Sequence, residues 1–300
     1  MSLYTVHTID LNFLGHENGI AAFLVETSEG TMLVETGPHS TFPVLKSAIE
    51  AAGHAIEDIK HVLLTHIHLD HGGAAWCFAE LGATVYLHPK GYRHMHQPER
   101  LLASAKMIYK ENMDRLWGTL KPIPAEQLVV VEDQETLNLL GLNIKALHTP
   151  GHAKHHIAWR INDVIFTGDV AGVSINQGPV IPPCPPPDIN IEDWNLSIAT
   201  LRAEKDILGY YLTHFGYITD TEAHLQKLEK SLKHYSEFMK PYAEAQKTVE
   251  EVLPEFQEFV RSYLLENGLN ESDTDAYQAA NPADMSATGL LRYWHKKNAR

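Results

Sequence analysis

The residues best suited to chemistry lie in one short segment, residues 65–73, whose sequence is THIHLDHGG. A short apolar stretch precedes it and predicts a buried strand. His66 and His68 alternate along the emerging loop, so both imidazoles can reach one cation. Asp70 and His71 follow where the chain turns into a helix, and they can reach a second cation beside the first. Clustering four such groups without a cation would be costly to desolvate, which favours a metal site.

Three later segments repeat this layout, each with a short apolar strand followed by a side chain of the metal-ligand type. His152 lies in a Pro-Gly turn, Asp169 comes just past a predicted strand, and His214 follows another. Strand ends of one sheet gather along one edge, so these loops are expected to converge with residues 65–73. Five histidines and two aspartates are enough for two zinc-like ions, each with an open coordination position.

The order of these residues resembles the metallo-β-lactamase superfamily, in its two-metal hydrolase branch near glyoxalase II. The resemblance covers about residues 5–220, and the HxHxDH motif with the following His, Asp and His is highly specific in that order. It implies an αββα sandwich, in which helices cover two packed sheets and a metal site lies at one sheet edge. The ligands that it implies are His66, His68 and His152 for the first metal, Asp70, His71 and His214 for the second, and Asp169 as the bridge.

This resemblance implies a metal-dependent hydrolase that uses a metal-bridged hydroxide to cleave a small carbonyl substrate, such as a thioester, ester or lactone. Two cations lower the pKa of a shared water, so that hydroxide exists near neutral pH. The expected cofactors are two divalent metal ions, with zinc as the first choice and iron or manganese as alternatives. Asp70 is the candidate catalytic residue, since it could accept a proton during turnover. Glu35 stands where the family usually has an aspartate, at a position that supports the site without binding metal.

The ligand set alone leaves other functions open. Sulfur dioxygenases of the same superfamily use nearly the same ligands with a single iron, so an oxygen-consuming enzyme is the alternative to a hydrolase. A binding module that kept the fold is disfavoured because the ligand set is complete. The nuclease branch usually carries a further nucleic-acid-binding domain, whereas this acidic chain offers no basic patch. The substrate is left open, with a glutathione thioester as one option, and His39 and Tyr217 are further candidates for contact with it.

The amino-acid composition limits the kinds of partner that the chain is expected to bind. Its 300 residues carry 24 Lys and Arg against 38 Asp and Glu, a net charge of −14. That balance argues against nucleic acid or an anionic membrane as a partner, and no apolar run approaches the ~20 residues of a spanning helix. Cys77 and Cys184 are too few for a disulfide framework. We therefore expect a cytoplasmic protein without a signal peptide that acts on a small molecule, with a homodimer as one option.

Alternating strands and helices must position these loops. Apolar patterns predict strands at 21–27, 31–36, 59–65, 83–87, 127–131, 135–140, 142–148, 156–161, 164–167 and 207–213. Helical spacing predicts helices at 44–52, 73–81, 98–120 and 191–203. Residues 179–187 contain six prolines, which predicts a stiff extended loop. The pattern is typical of an α/β fold, with a metal-binding catalytic domain over residues 1–220.

The rest of the chain has helical spacing, which predicts an α-helical extension over residues 221–300. Pro241 suits the first position of a helix, and Pro254 predicts a kink or break. A polar connector is predicted at residues 270–284, before a last helix at 288–297. Each helix has one apolar face that must be buried. We expect this extension to pack on the metal-binding domain and to help enclose the mouth of the active site.

Overall fold

Two six-stranded sheets packed face to face form the centre of the protein in the computed structural model, which describes residues 3–299. Residues 1, 2 and 300 lie outside the described residues. They are the outer ends of the two predicted domains, and residues 1 and 2 also begin the segment that was predicted to lack a signal peptide. The first sheet contains β1 (Tyr4–Asp10), β2 (Ala21–Thr27), β3 (Gly30–Val34), β4 (His61–Leu63), β5 (Thr84–Leu87) and β6 (Leu128–Val130). The second contains β7 (Thr136–Leu139), β8 (Leu142–His148), β9 (Ile157–Ile161), β10 (Val164–Phe166), β11 (Gly209–Leu212) and β12 (Gly216–Ile218).

Helices cover the outer face of each sheet. Those on the first sheet are α1 (Phe42–Ala51), α2 (Leu69–Gly72), α3 (Ala75–Glu80), α4 (Pro89–His96), α5 (Glu99–Tyr109) and α6 (Met113–Trp117). Those on the second are α7 (Ile191–Ala203), α8 (Thr221–Glu244), α9 (Val249–Glu266), α10 (Thr274–Ala280) and α11 (Ala283–Asn298). In the first sheet β3, β4, β5 and β6 pair in parallel, and in the second β10 and β11 do. Parallel neighbours need crossover connections, which these helices supply.

Both faces of the central strands are buried, and β2 shows how. Phe23 and Val25 point into the core between the sheets, whereas Ala22 and Leu24 pack against the outer helices. Alternate residues of a strand face opposite sides of the sheet, so a strand that is apolar at every position belongs inside a layered structure. The αββα sandwich implied by the resemblance is therefore confirmed.

The predicted helix at 98–120 is wrong as a single element. The chain forms α5 and α6 there, because Lys110 takes φ +48° and breaks the helix, and Gly118 with φ +66° ends it. Sequence reasoning also missed α4, which starts at Pro89. The sequence of α4, PKGYRHMH, is largely polar, and only Gly91 and Met95 of its residues are buried, so too few apolar residues were present for the sequence to indicate a helix.

The helical extension also differs from the prediction in detail. Pro241 lies in the last turn of α8 and does not begin a helix. The next helix begins after Thr248, whose hydroxyl accepts a hydrogen bond from the Glu251 amide, and it continues through Pro254. The predicted connector at 270–284 contains α10, so it is not an irregular segment.

The extension packs on the second sheet through a shared core. Ile165 and Leu212 of the sheet, Trp194 of α7, and Leu228 and Leu232 of α8 are all buried in one cluster. The predicted domain boundary at residue 220 falls in the connection between β12 and α8. In the described part of the chain, every helix falls short of the length and apolarity that crossing a bilayer requires.

Candidate metal centre

The predicted ligands lie at one edge of the sandwich, in segments that follow strand ends, with Asp70 and His71 in the short helix α2. Four follow β4, while His152 follows β8, Asp169 follows β10 and His214 follows β11. Gly151 takes φ +135°, and a Cβ there would lie 2.4 Å from Trp194, so the turn that presents the next residue requires glycine. The structure brings all seven side chains together: His66, His68, Asp70, His71, His152, Asp169 and His214.

A first group consists of three imidazoles whose ring nitrogens converge. His68 Nδ1 lies 2.9 Å from His66 Nε2 and 3.0 Å from His152 Nε2. Burial penalises the charged form and lowers the pKa of all three rings, that of His68 to about 4. The rings are therefore neutral near pH 7, which is the form that binds a cation.

A second group joins one carboxylate and two imidazoles. Asp70 Oδ2 lies 3.7 Å from His71 Nε2 and 3.6 Å from His214 Nε2. Burial alone would raise the pKa of Asp70, but the two imidazoles hold it at about 2. Burial alone would likewise lower the pKa of His71 and His214, but the charge of Asp169 and its neighbours raises both. The carboxylates therefore favour positive charge on these two rings, and a bound cation could supply that charge in place of the ring protons.

Asp169 spans the two groups. Its Oδ2 lies 3.3 Å from His152 Nε2, in the first group. Its Oδ1 lies 3.2 Å from His71 Nε2 and 3.4 Å from His214 Nε2, in the second. One carboxylate thus presents one oxygen to each group, which is the arrangement that a bridging ligand needs.

Backbone carbonyls fix the orientation of two of the rings. His152 Nδ1 donates a hydrogen bond to the carbonyl of Pro183 at 2.8 Å, and His214 Nδ1 donates one to the carbonyl of Gly19 at 2.7 Å. A carbonyl oxygen can only accept, so the proton is on Nδ1 and the lone pair of Nε2 points into the site. Hydrogen bonding therefore sets both tautomers for metal binding.

Glu35 supports the site from behind. It is fully buried with φ +64°, and its Oε1 lies 3.0 Å from His71 Nδ1, which donates to it. The same oxygen accepts hydrogen bonds from the hydroxyls of Thr65 and Thr213. The carboxylate thereby fixes the ring of His71 and joins the loops that follow β4 and β11.

The two groups fit divalent cations better than a third possible grouping. Glu35, His66 and His71 also bring ligand atoms within 4.8 Å of one another. The carboxylate of Glu35, however, is already satisfied by the donors around it. By contrast, His71 Nε2 and Asp169 Oδ1 are buried and, although 3.2 Å apart, make no well-aligned hydrogen bond with each other or with any other group of residues 3–299. Imidazole nitrogens with carboxylate oxygens are the donors that zinc and related ions accept.

Comparison with known proteins identifies the family. The profile of the metallo-beta-lactamase superfamily matches residues 17–214, which is more than half of the chain. The chain belongs to the metallo-beta-lactamase superfamily. The matched segment begins before β2 and ends at His214, so it contains all seven of the residues brought together above.

Relatives within the superfamily include proteins with different names. A metallo-beta-lactamase fold-containing protein of Sulfurisphaera tokodaii is 27% identical over 183 residues, which are 58% of this chain and 67% of that protein. An atrochrysone carboxyl ACP thioesterase of Aspergillus fumigatus is 28% identical over 155 residues, 50% of this chain and 29% of that protein. A thioesterase of Emericella nidulans is 28% identical over 167 residues, 53% and 39% of the two chains. The chain spans less than half the length of these two fungal thioesterases.

Solved structures of the superfamily share the fold over nearly the whole chain. A family protein of Thermus thermophilus aligns with a TM-score of 0.70 and 22% identity, covering 98% of this chain and 94% of that one. An archaeal member from Sulfolobus tokodaii aligns with a TM-score of 0.64 and 21% identity, covering 95% and 97%. At this identity the likeness establishes the fold alone, and it extends over the C-terminal helices.

An apolar cavity of about 390 Å³ opens above the candidate metal centre of this superfamily member. Its floor includes His68, Asp70, His152 and Asp169. Sequence reasoning missed most of its wall, which comes from α5, α6 and residues 278–282 with Met285. The helical spacing of Ala276, Tyr277 and Ala280 was a signal for α10, but the polar residues around them obscured it.

His39 and Tyr217, the further candidates for contact with a substrate, lie away from the cavity. His39 Nδ1 accepts a hydrogen bond from the Thr119 amide at 3.1 Å, and its ring packs on Trp76. Tyr217 packs on Tyr211 with ring centroids 4.7 Å apart. Neither side chain is among the described residues that line the cavity, so contact with a substrate there is not supported.

Proposed function

We propose that this protein is a metal-dependent hydrolase of a small carbonyl substrate, with thioesters ahead of esters and lactones. The position of Asp169 between the two groups carries the proposal, because a bridging carboxylate is needed only where two cations lie side by side. His66, His68 and His152 would hold the first cation, and Asp70, His71 and His214 the second. Zinc is the first choice, with iron and manganese as alternatives.

The names of the relatives support the choice of thioesters. Two fungal relatives are named as thioesterases, one of them as acting on an acyl carrier protein. Hydrolysis of a thioester adds the oxygen of water to the acyl carbon and breaks the bond between carbon and sulfur. The products are a carboxylic acid and a thiol. When bound, the two cations would lower the pKa of a water molecule and polarise the substrate carbonyl.

The side chains around the cations have separate tasks in this proposal. Asp70 stays ionised because its pKa is held at about 2, so it can accept a hydrogen bond from water and orient it. A carboxylate with so low a pKa is a weak base, which makes orientation its main contribution. The three neutral imidazoles of the first group add no charge of their own, so the positive charge of a bound cation would act directly on the substrate.

Replacing the bridging carboxylate tests this proposal. Asp169→Asn keeps the size of the side chain and removes its charge, so we expect metal content to fall from two ions per chain and thioester hydrolysis to fall with it. Asp206→Asn is the matched control, because Asp206 is exposed and lies in the left-handed region that asparagine also adopts. Metal content by mass spectrometry and initial rates on thioesters, lactones and phosphodiesters are the readouts.

Two outcomes would contradict the proposal. Unchanged metal content and rate in Asp169→Asn would show that the carboxylate does not bridge cations. A single iron per chain, with oxygen uptake and no hydrolysis of any substrate tested, would instead favour the mononuclear sulfur dioxygenase alternative.

A further inference from the structure

The cavity above the metal centre has a predominantly apolar wall, built from distant parts of the chain. Leu101, Ala105 and Ile108 of α5 line it, and their spacing places them on one side of the helix. Far along the chain, at the beginning of α11, Pro282 and Met285 also line the cavity. Four prolines of the 179–187 loop also line it: Pro183, Pro185, Pro186 and Pro187. Polar side chains line the cavity outside the floor as well, among them Arg100, Ser104 and His155.

Three aromatic rings form the most continuous part of this wall. Phe13 and Trp117 stack with ring centroids 5.6 Å apart and an angle of 19° between the rings. Tyr109 packs edge-on against Trp117 at 5.0 Å. All three line the cavity. Aromatic faces bury large apolar areas in fixed positions, so this part of the wall suits a bulky apolar group.

Several polar side chains of the lining already have partners within the protein. Asn281 donates to the carbonyl of Pro182 at 3.2 Å and accepts from Ser286 at 3.0 Å. Asp188 pairs with Lys154 at 3.0 Å, close to the protein surface. At these two places a substrate hydroxyl would therefore find no free partner, and an unpaired hydroxyl would cost binding free energy. Among the described residues of the lining, His155 Nδ1 is buried without a hydrogen-bond partner, so preference for an apolar group depends on the apolar area of the wall.

We propose that this cavity binds the acyl group of the substrate and prefers a long or bulky apolar acyl group to a small hydroxylated one. This inference rests on the proposed hydrolase function and specifies its substrate class. The acyl carbonyl lies at the floor, the acyl chain extends along the apolar wall, and the polar leaving group faces the mouth, where Arg100 is exposed. A volume of about 390 Å³ is within the range of small-molecule sites.

Binding of the carboxylic acid products tests this without relying on turnover. Zinc-loaded protein is titrated with acetate, butyrate, hexanoate, octanoate and decanoate by calorimetry. Each added methylene should tighten the Kd about fourfold until the cavity is filled, which corresponds to the ~0.8 kcal/mol gained by burying one methylene. A Kd that does not change from acetate to decanoate would overturn the inference.

Two neighbouring residues of α5 provide a matched pair of variants. Ile108 lines the cavity and is 42% exposed, whereas Met107 does not line it and is 74% exposed. Both positions lie in a helix and are exposed, and glutamate has a high helix propensity, so neither substitution should unfold the protein. Ile108→Glu should remove the dependence on chain length and leave the metal content unchanged. Met107→Glu should behave as the wild type, and equal losses in both variants would contradict a role for the wall.

Hydrolysis of acyl thioesters with one common thiol separates this inference from the proposed function. With wild-type protein, kcat/KM should rise from the acetyl to the octanoyl thioester and stay low for a small hydroxyacyl thioester. If the acids bind with the expected length dependence but no thioester is hydrolysed, the hydrolase function is contradicted and the acyl-binding cavity is supported. If every acyl thioester is hydrolysed with the same kcat/KM, the hydrolase function is supported and the acyl preference of the cavity is contradicted.

Discussion

The floor and the wall of the cavity are built in different ways. The floor comes from loops at strand ends, and its side chains are buried and oriented by hydrogen bonds, as His214 is by the carbonyl of Gly19 at 2.7 Å. The wall comes from short helices, and its apolar side chains have no polar contacts to orient them. Ile108, for example, is 42% exposed. In the proposed function, the chemistry therefore depends on the hydrogen-bonded floor, and the choice of substrate depends on the apolar wall.

The largest effect should come from the floor. His68→Ala removes the nitrogen on which the first group converges, so we expect the loss of that cation and a fall in hydrolysis of more than about 100-fold. Loss of a residue that only supports a ligand already costs ~10- to 100-fold, and loss of a ligand should exceed it. The fold should persist, because the sandwich core lies elsewhere. Metal content and circular dichroism are measured together.

The control for this prediction is His234→Ala, because His234 is exposed and remote from the cavity. It should keep the metal content and the rate of the wild type. A wild-type rate with normal metal content in His68→Ala would instead mean that the floor is not a metal site.

A smaller effect is expected from the support behind the floor. Glu35→Gln removes the charge that holds the ring of His71, so metal affinity should fall by about 10- to 100-fold. Glu35→Asp retains the charge but shortens the side chain, and it should recover part of the affinity. Competition with a chelator measures the metal affinity of each variant. Equal affinity in Glu35→Gln and wild type would show that His71 is held without this carboxylate.

The contribution of the C-terminal helices to the wall should be smaller again. Met285→Glu places a charge in the apolar lining, so the KM for a long-chain acyl thioester should rise by about tenfold, the cost of roughly two buried methylenes. Acetyl thioester kinetics and metal content should not change. A substitution is preferable to removal of residues 221–300, since Leu228 and Leu232 share a core with the second sheet. An unchanged KM would exclude α11 from substrate binding.

The free energy of unfolding at low pH tests the contact between the C-terminal helices and the segment that carries Asp169. His224 Nε2 of α8 donates to the carbonyl of Ala171 at 2.8 Å, near Asp169, and burial lowers its pKa from 6.5 to about 4. Between these pH values the unfolded chain binds a proton that the folded chain does not, so the free energy of unfolding falls as the pH falls. The contribution of His224 to this loss is up to about 3 kcal/mol.

The variant His224→Gln should keep a donor for the carbonyl and lose this titration. Urea unfolding in the presence of a chelator, at several pH values from 7 to 4, should therefore give a flatter pH dependence for the variant. Identical pH dependence in the two proteins would mean that His224 is protonated in the folded state as readily as in the unfolded one.

The sequence was informative about the floor because its residues follow one another in short motifs. Residues 66–71 follow one strand directly, in a short loop and the start of α2, and the apolar strand before each later ligand placed it at a sheet edge. The family resemblance, and not the local sequence, implied a supporting role for Glu35, and its carboxylate lies against His71. The strand before residues 66–71 belongs to the first sheet and the strands before the later ligands belong to the second, so their convergence depends on how the two sheets pack, which the expectation based on one sheet did not include.

The wall could not be predicted in the same way. Ile108 and Met285 line one cavity although most of the chain separates them, and nothing in their local sequences indicates that they share a surface. The docking of α5 and α11 depends on packing against the rest of the molecule, so tertiary contacts decide it. The break at Lys110 adds to the difficulty, since the apolar spacing continues across it.

The most direct test of the metal assignment is anomalous diffraction from zinc-loaded crystals. The account predicts two anomalous peaks per chain, one within coordination distance of His66, His68 and His152. The other should lie within coordination distance of Asp70, His71 and His214, with Asp169 between the two. A single peak bound by Glu35, His66 and His71, or peaks away from these side chains, would contradict it.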